Sequence, residues 1–127
     1  MRYAGYLRGL ENVFNIHTTG QEIDLDAGKH KVDMLDGWGV DIGEFNILFR
    51  NTRTGLTISC KEILLPIQLY ALDKRARRIF QFHIVDPGTY EVIFVKPESI
   101  VVKHSNLLFF GFLESPIPNS KLSVYIQ

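Results

Sequence analysis

Apolar and polar positions alternate along most of this chain, and a sustained 3.6-residue period is almost nowhere found, so strands are predicted in preference to helices. Phe45, Ile47 and Phe49 point to one side of an extended segment while Asn46, Leu48 and Arg50 point to the other. Leu56, Ile58 and Cys60 alternate in the same way with Thr57, Ser59 and Lys61. These two runs predict a hairpin. Its connection, Asn51-Thr52-Arg53-Thr54-Gly55, is polar and ends on the residue that accepts a positive φ without a Cβ clash. A second pair is predicted between Phe80, Phe82, Ile84 and Tyr90, Val92, Phe94, with Pro87-Gly88 at the centre of a type II turn. Further strands are expected over 13–17, 29–35, 99–104, 107–113 and 121–126. Residues 66–78 leave two elements open: a short helix, with Pro66 in its first turn and Leu, Ala, Lys and Arg behind it, or an edge strand on which Ile67, Leu69 and Ala71 alternate. About nine short strands separated by regular turn signals predict an all-β, antiparallel β-sandwich or jelly-roll-like fold. A chain of 127 residues with 46% hydrophobic residues is expected to form one domain over 1–127.

One short pattern occurs twice, sixty positions apart: Asp26-Ala27-Gly28-Lys29-His30-Lys31-Val32 and Asp86-Pro87-Gly88-Thr89-Tyr90-Glu91-Val92. Each copy leads from a tight corner into a strand. Asp86-x-Gly88-x-Tyr90 resembles the tyrosine corner of immunoglobulin-like sandwiches, in which the Tyr hydroxyl bonds back to the chain just upstream. The resemblance covers about seven residues and implies an immunoglobulin-like or related β-sandwich. Val92 stands where that family carries the second cysteine of its inter-sheet disulfide. The sequence Leu25-Asp26-Ala27-Gly28, followed later by Phe82-x-Ile84-x-x-Pro87-Gly88-Thr89-Tyr90-x-Val92, also looks like β-sandwich modules of bacterial envelope and membrane-attached proteins, which are mostly non-catalytic.

Charge narrows the choice of partners. Fourteen Lys+Arg balance fourteen Asp+Glu, so no global field attracts nucleic acid, and an electrostatic partner would need a local patch. The lone Cys60 forms no intramolecular disulfide, and no sulfur cluster is present for zinc or iron–sulfur binding. No segment approaches the roughly 20 consecutive apolar residues of a membrane-spanning helix, and the first residues lack a signal-peptide pattern. A soluble chain is expected, cytoplasmic if full length and envelope or extracellular if it is an excised domain.

Neither a G-x-S-x-G elbow nor a Gly-rich phosphate loop is present, and Cys60 alternates onto an apolar face, so no catalytic residue and no cofactor is expected. His17, His30, His83 and His104 never fall two apart, so a metal site would need ligands from several strands, and none is expected. A hydrolase with a dispersed His/Asp site is the enzymatic alternative. The loop around Gly37-Trp38-Gly39 is the leading binding candidate, because a mobile aromatic would share it with Asp33, Asp36, Asp41 and Glu44. Against this stands the expectation that Trp38 folds back to plug one end of the sandwich. Lys74, Arg75, Arg77 and Arg78 form a compact basic cluster suited to an anion or to a solvated face. Leu107 to Leu113, with Phe110 and Phe112, is more apolar than a strand with one wet face should be, which points to a contact surface. The expected function is thus a non-enzymatic interaction module mediating protein–protein contact or oligomerisation through Trp38 and the 107–113 strand. A carbohydrate- or Ca-assisted ligand-binding module using Trp38, Asp36 and Asp41 is the alternative.

Overall fold

The computed structural model describes residues 12–105 and 115–127. The expected strand over 107–113, with Phe110 and Phe112, lies outside the described residues. The described strands are β1 (Val13–Asn15), β2 (Gln21–Leu25), β3 (Gly28–Leu35), β4 (Gly39–Asp41), β5 (Asn46–Asn51), β6 (Thr57–Ser59), β7 (Lys61–Ala71), β8 (Lys74–Ile84), β9 (Gly88–Val95), β10 (Val101–Lys103) and β11 (Ser123–Ile126). The fold is all-β, and every strand pair is antiparallel. One sheet runs β1-β11-β3-β8-β7, the second β2-β9-β5-β6, and β4 pairs with β10 in a separate ribbon. With β4, β7 and β10 set aside, the remaining eight strands, counted in chain order, lie 1-8-3-6 in one sheet and 2-7-4-5 in the other. That is the interlocked Greek-key order of a jelly roll.

The 45–61 hairpin forms as expected, with Leu48 opposite Ser59 and Gly55 at φ 76°. The open choice over 66–78 falls to strand, and one expectation is corrected. No helix forms within 66–78: β7 and β8 pair through Ala71↔Lys74, around Leu72 and Asp73 at φ 51° and 62°. Two successive positive φ values make the tight turn whose twist matches paired strands, and cross-strand bonding overrides the helix propensity of Leu, Ala, Lys and Arg. Nor do Phe80–Ile84 and Tyr90–Phe94 form a hairpin, because β8 and β9 belong to different sheets. Gly88 stands at φ 159° where a type II turn needs about +80°.

Both copies of the repeated corner carry the chain from one sheet to the other. The Tyr90 hydroxyl donates to the Asp86 carbonyl at 2.6 Å, and His30 Nε2 donates to the Asp26 carbonyl at 2.7 Å. Since β2 pairs with β9 and β3 with β8, the two corners lie side by side, with Leu25 opposite Gly88 and Gly28 opposite Ile84. The echo in the sequence is therefore a near two-fold device that clamps the same end of both sheets.

Aromatic rings tie the sheets together across the core. Phe49 of β5 stacks on Phe82 of β8 at 4.2 Å between centroids, and Phe82 in turn stacks on His30 at 5.2 Å. Phe45 bridges Phe80 and Phe94 in a second set. A bulge at Ile79, where Val32 pairs with Phe80 but Asp33 with Arg78, lets both Ile79 and Phe80 be buried.

Candidate functional site

The residues around Trp38 and the basic cluster meet at the closed end of the β7–β8 hairpin. Trp38 donates its indole N–H to the Leu69 carbonyl at 3.1 Å and meets Tyr70 edge-on at 5.5 Å. The Arg75 guanidinium lies over the indole face, 4.3 Å from its centroid, and Arg77 donates to the Trp38 carbonyl. Trp38 is thus a buttress between the β3–β4 connection and the hairpin, with its single donor and one ring face already engaged.

The glycines beside it serve close approach. A Cβ on Gly37 would lie 2.2 Å from the Lys103 carbonyl oxygen, and one on Gly39 would lie 2.5 Å from that of Ser105. Both contacts are with backbone, so rotation of a side chain cannot relieve them. Gly37→Ala is expected to cost about 2 kcal/mol, the scale of overpacking a well-filled site. Urea unfolding, followed with the Trp38 emission and its expected red shift, checks this.

Strand alternation divides the basic cluster between two faces of β8. Arg75 and Arg77 share the face with Trp38, and Arg75 also donates to the His104 carbonyl. Lys74 lies 3.6 Å from Asp36, and Arg78 forms two hydrogen bonds with Asp33, at 2.9 and 3.4 Å. Arg75, Arg77 and Arg78 are therefore committed to partners within the chain, while Lys74 forms a solvent-exposed ion pair with Asp36.

The carboxylates expected to line one loop are separated as well. Asp33 is fully buried within β3 and accepts from both Arg78 and Gln127. Asp36 faces Lys74, Asp41 accepts from the Gly43 amide, and Glu44 pairs with Lys96, whose ammonium holds its carboxyl below the ordinary range. Among the described residues no three His, Cys, Asp or Glu side chains come together as a metal site. The histidines are likewise apart: His17 bonds Asn119, His30 closes its corner, and His83 and His104 lie exposed on different elements. Burial pushes the Cys60 thiol up to about 12, so it carries negligible thiolate at neutral pH.

Among the described residues, what stands open is the edge strand β7. Its pairing with β8 breaks between Glu62 and Ile67, and the segment Ile63-Leu64-Leu65-Pro66 bulges from the edge. Leu64 is 84% exposed, Leu65 72%, Tyr70 65% and Ile67 37%. The sequence places the expected apolar contact surface at 107–113, and over 66–78 it suggests only an open choice of secondary structure and the basic cluster of Lys74, Arg75, Arg77 and Arg78. The signal for β7 was present in the run Ile63-Leu64-Leu65-Pro66-Ile67, whose apolar residues do not alternate with polar ones. No helix among the described residues is long and apolar enough to cross a membrane. Compared with known proteins, the chain matches no family model, no curated protein and no solved structure.

Proposed function

We propose that this protein is a non-enzymatic β-sandwich interaction module whose contact surface is the edge strand β7. The observation that carries this reading is the exposure of Leu64, Leu65, Ile67 and Tyr70 on one edge. Solvent-facing apolar side chains of this size, gathered on one element and flanked by Lys61, Glu62 and Gln68, have the make-up of an interface with an apolar centre and a polar rim. Pro66 lacks an amide donor and the bulge interrupts the ladder, so side chains, not continued strand pairing, would make the contact. The hairpin that presents them is propped by Trp38, which gives the Gly37-Trp38-Gly39 segment a supporting part.

The partner tested first is a second copy of this chain, because a two-fold axis sets the same apolar patch against itself and needs no other complementary surface. The wild-type sedimentation coefficient is expected to rise with concentration through the micromolar range. Leu64→Asp/Leu65→Asp is expected to abolish that rise while changing stability by no more than about 0.5 kcal/mol, as exposed substitutions do. A concentration-independent wild type, or a double variant that associates equally well, would contradict self-association through β7.

A further inference from the structure

The open side of the sandwich, where the chain leaves β6 for β7, holds a cleft of about 380 Å³. That volume is at the small end of the roughly 300–1,000 Å³ typical of small-molecule sites. Lys29, Lys61 and His83 line it, and no carboxylate does among the described residues. Lys29 is the cross-strand partner of His83 and Lys61 that of Gln81, so the cations stand in adjacent rows on one face of the sheet. Lys31, also opposite Gln81, extends the row. The Ser59 hydroxyl and the Gln81 amide add neutral donors, and Ile58 with the edge of Phe82 supplies an apolar wall.

This arrangement contrasts with the basic cluster on β8. There, cations close in sequence are bound to Asp33, Asp36 and the Trp38 segment. Here, Lys29 and Lys61, thirty-two positions apart, are gathered by the fold beside His83 with no acidic residue in the lining among the described residues. Like charges held together at a cleft, with hydroxyl and amide donors beside them and an apolar wall behind, are complementary to an anion attached to an apolar body. Among the described residues, Phe82–Ile84 of β8 pair with β3 alone, because β7 begins at Lys61 opposite Gln81. This leaves the cleft accessible from the side.

We propose that this cleft binds a small amphiphilic anion, a carboxylate or phosphate monoester carried on an apolar group, with Lys29, Lys61 and His83 around the anionic head and Ile58 and Phe82 against the apolar body. The site shares Lys61 with the rim of the β7 surface, but it does not include Leu64, Leu65, Ile67 or Tyr70 and does not depend on the reading given to them.

The test is a titration with 4-phenylbutyrate, followed by amide and imidazole NMR shifts of the full chain, with 4-phenylbutanol and inorganic phosphate in parallel. Saturable shifts confined to Ser59, Lys61, Gln81, His83 and Lys29 are expected, with a dissociation constant on the order of millimolar for a ligand this small. The alcohol, which keeps the apolar body, and phosphate, which keeps only the charge, are each expected to bind at least about fivefold more weakly. Lys29→Ala/Lys61→Ala is expected to weaken the acid by about fivefold, the combined worth of two solvent-exposed charge contacts, and added salt to weaken it further. Equal binding of acid and alcohol in the wild type, which needs no variant, would overturn the assignment. So would shifts scattered over other surfaces, or a double variant that binds the acid as well as the wild type does.

Discussion

Phe49→Ala is expected to lower the unfolding free energy by about 4 kcal/mol, within the range for removing a large aromatic side chain from a core. Phe49 is fully buried, and its ring is the contribution of the β2-β9-β5-β6 sheet to the stack with Phe82 and His30. Alanine removes both the transferred apolar area and the ring contact that joins the sheets, and β-sheet backbones on either side cannot collapse fully into the space. Urea unfolding monitored by far-UV circular dichroism measures the loss. Phe49→Leu, which refills most of the volume without the ring, is expected to recover roughly half of it. An alanine variant within about 1 kcal/mol of wild type would show that the two sheets do not depend on this stack.

Asp33→Ala is expected to cost about 3 kcal/mol, for a different reason. Asp33 is fully buried on the middle strand β3, and the Arg78 side chain opposite it is 17% exposed. Without the carboxylate, a largely desolvated guanidinium and the Gln127 amide lose their acceptor. Removing one partner of a buried pair typically costs about 3–5 kcal/mol, and the partial access of Arg78 to water places this case at the lower end. The pair itself contributes far less than that loss suggests, since its attraction must offset the desolvation of both charges. Asp33→Leu/Arg78→Leu is therefore expected to be close to wild type in urea unfolding. A double variant as unstable as Asp33→Ala would show that the ion pair is a net source of stability.

Asp33 also shows where sequence reasoning stops. Read along the chain it is one of four acidic residues near Trp38; the sheet places it opposite Arg78, forty-five positions away, and on the far side of β3 from Met34. The same holds for Lys74, Arg75, Arg77 and Arg78, whose adjacency suggested an anion patch. Alternation along β8 and the bulge at Ile79 decide which of them meet Trp38 and which meet Asp33 and Asp36. By contrast, the hairpin at 45–61 and the core positions Phe45, Ile47, Phe49, Phe80, Phe82 and Ile84 were legible, because a period of two and a Gly-ended turn are local signals. The strand β2 was missed although Ile23 and Leu25 alternate with Glu22 and Asp24 across it.

By itself, then, the sequence determined the all-β class, most of the strands and the side of each that faces the core, since these follow from alternation, turn chemistry and the exclusion of apolar groups from water. It also located the Asp86–Tyr90 corner, whose hydrogen bond spans four residues. Tertiary structure alone decided that β8 and β9 part into different sheets, that 66–78 pairs as β7 and β8, that Trp38 props their turn, and that Lys29, Lys61 and His83 share a cleft. The physical reason is the same each time: which strands pair, and in what register, is set by burying every apolar face at once, a condition on the whole chain that no short window of residues contains.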